Sequence, residues 1–427
     1  MTPDTPDRDD APHRGTTRRT FLARSAIAAA GLSSSAVLEA CGSTTTPVGS
    51  RAEVGPGGLP LARANHPVTL PIYSDNKAIG SGLTPEKGPL QLYNWIAYIN
   101  PTVIKDFEKK YHVKVQLSTF VTIEEAIAKL TSKQVQYDVF WPTAGYIEEL
   151  VAGKIVEPIN HSYIPNLAAN VWTSLQNPWY DQGSRYTVPY TVYTTGIGWR
   201  ADKLPGFNPD KLANPWNALW QVGPTIKGRV GLLDDERDGM SMALLRNGIT
   251  DLNTDVTKNL NVAKNSLIQL VGSTNLKFDT NEYQRLADGE LWLHEAWSGD
   301  MAAAPSYVPK GTPGSVLRYW WPGSGKGPIN NDMLAIPRGA KNPVLAHLFL
   351  NHILDTAQVF SNFSFNFYQQ PINAMTPQVL VQKGLIPPTL TSTLIQRSQF
   401  DNGYVQGALS QKGQVEWENV WAAVKSA

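Results

Sequence analysis

The run Leu232-Leu233-Asp234-Asp235-Glu236-Arg237-Asp238 crowds carboxylates into the junction between an apolar strand-like stretch and a helix-like one. Carboxylates there can cap the helix, because its free N–H groups and dipole favour negative charge. They can also accept charge-assisted hydrogen bonds from a cation, or serve as half of an acid/base pair. Asp332 stands at a second strand edge, before Met333-Leu334-Ala335-Ile336-Pro337, and alone would read as a solvated turn residue. Trp95, Trp297 and Tyr368 are flat side chains near predicted strand or helix ends, and each alone fits a core as well as a ligand box.

The chemistry of bond-making finds no matching pattern. Gly323-Ser324-Gly325-Lys326-Gly327 lacks the first Gly of a phosphate loop and the Ser or Thr after Lys, so it reads as a surface loop. His294-Glu295 has no following histidine at zinc-protease spacing, and His347 and His352 are too far apart to share a helix face as metal ligands. There is no Gly-x-Ser-x-Gly elbow. Nor is there an adjacent Tyr-Tyr pair of the kind used to hold ferric ion. No cofactor, metal or catalytic residue is expected.

Composition agrees. The 37 basic and 36 acidic residues leave a net charge of +1, without the basic excess of a nucleic-acid binder. With 42% hydrophobic residues the chain can bury sizeable cores, and its 13 Trp and 16 Tyr suit the walls of a small-molecule site. The lone Cys41 rules out an internal disulfide.

The elements that must position these residues begin late. Residues 1–40 read as an export signal, with Arg18-Arg19 ahead of Phe21-Leu22 and an apolar run too short to span a bilayer. The pattern resembles a twin-arginine signal. Leu38-Glu39-Ala40-Cys41 resembles a lipobox, in which Cys41 would be acylated, although Glu39 is an unusual residue there. Residues 41–88, rich in Ser, Thr, Pro and Gly, read as a flexible linker. From Leu90 the periods alternate: strand Leu90–Trp95, helix after Asn100-Pro101, strand at Val113–Leu117, helix at Ile123–Leu130, strand Tyr137–Trp141, helix Tyr146–Ala152. Such βαβ order predicts a parallel sheet with its crevice at the carboxyl ends of the strands, where Trp95, Phe120 and Thr143 fall. Strands are also expected at Thr195–Trp199, Arg229–Leu233, Leu291–Trp297 and Leu334–Pro337, and one long helix over Asn342–Phe360.

Taken in order, Tyr93-Asn94-Trp95-Ile96-Ala97-Tyr98, Tyr137-Asp138-Val139-Phe140-Trp141-Pro142, Leu233-Asp234-Asp235 with Arg237, Trp297-Ser298-Gly299 and Asp332-Met333-Leu334-Ala335-Ile336-Pro337 form one pattern. From Leu90 to its end the chain resembles the spermidine/putrescine-binding proteins of ABC transporters. The resemblance implies an α/β, two-lobed periplasmic-binding-protein-like fold with a hinge and an interlobe ligand cleft. It implies lobe segments 89–192 and 332–368 on one side, 193–331 and 369–427 on the other. It carries ligand-binding roles onto Trp95, Tyr98, Asp235, Asp238, Trp297, Asp332 and Tyr368, onto Thr143 where the family has serine, and loosely onto Gln406. Gly145 and Asn330 stand where the family has tyrosine and tryptophan, which would widen the aromatic box. The implied partners are a small cationic amine, an ABC permease with its ATPase, and the membrane through a lipid anchor only, with the binding protein a monomer at the outer face of the cytoplasmic membrane. Sequence alone leaves two other readings open: another organic solute in the same fold, such as a sugar or amino-acid derivative, or a secreted hydrolase using Asp235 and Asp332 as its carboxylate pair.

Overall fold

The computed structural model describes residues 54–132 and 135–427; Arg18, Arg19 and Cys41 lie outside them. Ten strands among these residues join in one sheet: β1 Leu90–Trp95, β2 Val115–Phe120, β3 Val139–Phe140, β4 Val156–Glu157, β5 Thr187–Arg200, β6 Val230–Leu233, β7 Lys277–Asp279, β8 Leu293–Trp297, β9 Leu317–Trp320 and β10 Ile329–Pro337. Their order is β2-β1-β3-β10-β5-β8-β6-β7, with β4 beside β10 and β9 beside β5. β1 runs parallel to β2 and β3, and β6 runs parallel to β7 and β8, so each flank is a small βαβ sheet.

The centre is different. β5 and β10 pair antiparallel from Thr194 opposite Ile329 to Thr187 opposite Ala335, and β5 then continues into the second flank against β8 and β9. β5 therefore belongs to both half-sheets, while β10 ties it to the first flank through β3 and β4. Their register shifts between Asp332 and Met333, which are opposite Thr191 and Pro189, leaving Tyr190 as the extra residue on β5. Such a bulge bends the strand and re-aims the side chains beside it. The sequence predicts only Thr195–Trp199 and Leu334–Pro337 at these places. Pro189, which demotes a run to non-strand by pattern, is accommodated at that bulge.

Local signals set the helices as expected. Asn100 accepts a hydrogen bond from Thr102 N at 2.9 Å with Pro101 as the first helical residue, so the helix Pro101–Tyr111 starts where predicted. The long helix expected at Asn342–Phe360 is instead two, Pro343–Ile353 and Thr356–Asn366. Asp355 is extended and its carboxylate caps Ala357 N at 2.9 Å, a competing start signal that pattern reading over a continuous apolar face passes over. His347 and His352 are structural, binding Asn160 N and Val103 O at 2.9 and 3.0 Å.

The linker reading needs correcting for residues 54–88. Leu61, Ala62, Val68 and Leu70 are buried, and Ala62, Val68 and Leu70 join a core with Tyr93, Phe120, Phe140, Ile147 and Tyr186. Backbone bonds Val68 N to Trp179 O and Gln182 N to Val68 O, and the Asn76 side chain to Val156 O, fix the segment to the β1–β4 flank. The composition is that of a spacer, but a few of its apolar residues are buried in the core of the first flank. None of the helices among the described residues is long and apolar enough to cross a membrane.

Candidate functional site

β5, β10 and the ends of β1, β6 and β8 carry most of the expected residues. On the first flank, Trp95 ends β1 half-buried. Phe120, expected to face the crevice, is instead buried beneath it with ring centroids 4.5 Å apart. A large apolar ring at a strand end is better satisfied under a neighbour than in a polar cleft. The indole Nε1 of Trp95 is buried without a hydrogen-bond partner. Thr143 bridges antiparallel to Asp332, seating the β3 exit against β10.

Asp332 is 7% exposed, and its carboxylate has a single partner. Tyr98 Oη donates to Asp332 Oδ2 at 2.6 Å, and Thr191 Oγ1 lies 2.6 Å from the same phenol. Asp332 Oδ1 is buried with no partner. Burial pushes this carboxyl up to about 7, with the Tyr98 donor pulling the other way. Around it the rings meet edge to face: Tyr98 with Tyr190 at 5.2 Å and with Tyr368 at 5.3 Å, and Tyr193 with Tyr368 at 5.9 Å.

The second flank supplies the other acidic pole. Asp235 caps the helix Glu236–Arg246, accepting from Asp238 N at 3.0 Å, so the capping account holds for that residue. Asp238, one turn in and buried, accepts from Thr195 Oγ1 at 2.8 Å, Gln406 Nε2 at 3.1 Å and Trp297 Nε1 at 2.7 Å. Burial raises both carboxyls above the usual range; the charge of Asp238 adds to the effect on Asp235, and the three donors oppose it at Asp238. Arg237 points away, into Gly407 O, Leu252 O and Asn253 Oδ1, with its guanidinium over the Trp417 ring. Asp234 is exposed and ion-paired with Lys425.

Sequence reasoning missed Asp300. It lies three positions after Trp297, in the first turn of Ser298–Ala303, and accepts from Tyr368 Oη at 2.7 Å. Only its closeness to the Trp297-Ser298-Gly299 motif could have drawn attention to it. Behind it Glu282 is fully buried, held by Trp297 N at 3.3 Å, and burial together with Asp300 raises its carboxyl well above the usual range.

The expected widening of the aromatic box is offset by other groups. Asn330 is 7% exposed and pairs twice with Gln406, giving its amide to Gln406 Oε1 at 2.7 Å and taking Gln406 N at 3.1 Å. A Cβ on Gly145 would stand 3.7 Å from Gly407 O, so backbone occupies the space beside it. Among the described residues no cluster of His, Cys, Asp or Glu could hold a metal ion. What the arrangement can do is hold positive charge, with buried carboxylates at both flanks and aromatic rings beside them.

Two βαβ flanks joined through the antiparallel pair β5 and β10, with a polar and aromatic cluster at their junction, define the two-lobed α/β binding-protein fold. The profile described as bacterial extracellular solute-binding protein matches residues 102–415, and this chain belongs to that family. It is 30% identical over 305 residues to the spermidine/putrescine-binding periplasmic protein of Escherichia coli, covering 71% of this chain and 81% of the relative. Among solved structures it is similar to a putative spermidine/putrescine ABC transporter from Listeria monocytogenes, with TM-score 0.66 and 24% identity over 79% of this chain and 98% of the other. A lipoprotein of Treponema pallidum gives TM-score 0.65 and 23% identity over 78% and 98%. The family is one of solute-binding proteins.

Proposed function

We propose that the cleft binds a polyamine, spermidine or putrescine, and that the chain delivers it to an ABC permease driven by a separate ATPase. The observation that carries this reading is Asp332 Oδ1, a buried carboxylate oxygen without a partner. Leaving such a group unmatched is costly, and an ammonium is the partner that matches it best. A carboxylate has roughly four acceptor positions. Asp332 uses one, whereas Asp238 uses three. An ammonium at Asp332 and Tyr98 would leave the methylenes to pack among Trp95, Trp297, Tyr193 and Tyr368, whose rings attract the ammoniums by cation–π contacts worth about 0.5–2 kcal/mol each. The far ammonium would lie toward Asp235, Asp238 and Asp300, with Thr143 and Gln406 as polar flanks.

The lobes would be 89–192 with 332–368 and 193–331 with 369–427, closing about β5 and β10 on a ligand that touches both. Export through Arg18-Arg19 and acylation of Cys41 would hold a monomer at the outer face of the cytoplasmic membrane, a reading supported by the signal-like first 40 residues. Asn330 and Gly145, which depart from the family pattern, favour a second reading in which the same cleft takes another organic solute.

A thermal-shift screen tests the reading, since a ligand bound only by the native state raises its melting temperature by mass action. Polyamines should raise it and sugars and neutral amino acids should not. A shift with a sugar and none with spermidine or putrescine would replace the reading with the second one.

A further inference from the structure

We infer that residues Leu59–Asn76 form a strap fixed to the β1–β4 flank, and that Arg63 on it is a positioning residue that sets Gln406 against Asp238 and favours the closed cleft. The inference rests on the ligand reading above only for its effect on binding; the contacts stand without it.

The strap's anchorage lies on one flank. Leu61 and Ala62 are buried, Ala62 N donates to Glu148 Oε1 at 3.2 Å, and Tyr186 Oη donates to Pro71 O at 2.5 Å. Arg185 donates to Leu70 O at 2.8 Å, and Lys154 pairs with Asp75 at 2.8 Å. Its reach is onto the other. Arg63 Nη1 donates to Ala408 O at 2.9 Å while also holding Ala62 O at 2.8 Å, so the guanidinium is braced before it crosses. Ala408 precedes the helix Gln411–Lys425, which packs on Glu236–Arg246 and Thr257–Thr274 of the second flank.

The residues that Arg63 holds are continuous with the site. Gly407 sits so close to the strap side that a Cβ there would meet the Trp179 ring at 2.9 Å and Ala62 O at 3.5 Å. Its carbonyl takes Arg237, and its N–H goes to Asn253 Oδ1 at 2.8 Å. Gln406 is the next residue back, with its amide on Asp238 Oδ1 and Ser241 Oγ and its main chain on Asn330. Three consecutive residues thus connect strap to binding carboxylate. Displacement of Ala408 reaches Gln406 through Gly407, because the three residues are consecutive in one chain segment. A contact that bridges the flanks only when the segments are this close stabilises that arrangement over an open one.

The test uses the full chain with Arg63→Ala, Arg63→Lys and Gly407→Ala, read by hydrogen exchange of the Gln406 and Gly407 amides without ligand and by stopped-flow tryptophan fluorescence with spermidine. Arg63→Ala and Gly407→Ala should speed exchange at these two amides and raise the spermidine off-rate about tenfold, the on-rate changing less. Arg63→Lys, which can still donate to one carbonyl, should restore part of both effects. Unchanged exchange in Arg63→Ala would overturn the inference whether or not spermidine binds. An unchanged off-rate in a protein that binds spermidine would equally overturn it. If the wild type binds no polyamine, the ligand reading fails and the exchange result alone decides.

Discussion

Asp238 and Asp332 are both buried carboxylates at the junction of the flanks, yet the protein treats them in opposite ways. Asp238 is nearly saturated by Thr195 on β5, Trp297 on β8 and Gln406 in the C-terminal segment. Asp332 receives Tyr98 alone and keeps one oxygen bare. The saturated group is preorganised: its neighbours fix its position, and their donated hydrogen bonds oppose the effect of burial on its charge. The bare group is unsatisfied, and burial holds it near half-protonation at neutral pH. The difference identifies which carboxylate has most to gain from a cation, and the predictions below probe that asymmetry.

Asp332→Asn should have the largest effect on binding. Loss of one charge-assisted bond costs about 1.5–3 kcal/mol, or roughly ten- to more than a hundredfold in spermidine affinity by calorimetry. Trp297→Ala should follow, at about 2 kcal/mol, because it removes a ring wall and a donor to Asp238 together. Trp297→Phe, which keeps the wall, should recover part of that. Gln406→Met takes one of three donors from an already satisfied group, so it should cost only about three- to tenfold.

The smallest effect is on stability and has the reverse sign. The Asp332 carboxyl titrates at about 7 when folded, against an ordinary value of 3.8. Between those values the folded protein holds a proton that the unfolded chain lacks, so this group's contribution to stability is lost as pH rises toward 7. Asp332→Asn should therefore raise the ligand-free melting temperature by about 2 °C at pH 8. By pH 5 the gain should fade, as scanning calorimetry at the two pH values would show. A mutant that binds worse and melts higher would separate a ligand residue from a structural one.

Much of this was legible in sequence because periodicity and capping are local. β1, the Asn100-Pro101 helix start, β6 and the carboxylates around Asp235 all follow from neighbours within a few positions. The ligand roles carried onto Trp95, Tyr98, Asp332 and Tyr368 came instead from family resemblance. What escaped is non-local. β5 runs from Thr187 through Pro189 because a bulge at Tyr190 keeps it paired with β10, and Leu61, Val68 and Leu70 are buried by surfaces far away in sequence. Phe120 turned under Trp95 for a packing reason that strand alternation cannot express. Asp300 became visible only when Tyr368 was seen to donate to it. The amide pair of Asn330 and Gln406 spans β10 and the C-terminal segment, a partnership that no local pattern around residue 330 could express.

The most direct test of the central claim is the proton count on binding. Spermidine is titrated calorimetrically into wild type and Asp332→Asn near pH 6.5, in buffers of differing ionisation heat. An ammonium that settles on Asp332 requires the carboxylate, so the wild type should release a substantial fraction of a proton from that group, and affinity should fall about tenfold per pH unit well below 7. The mutant should lack that release. Saturable binding with the same proton count in both proteins, or no saturable heat with spermidine or putrescine in a folded wild type, would contradict the account.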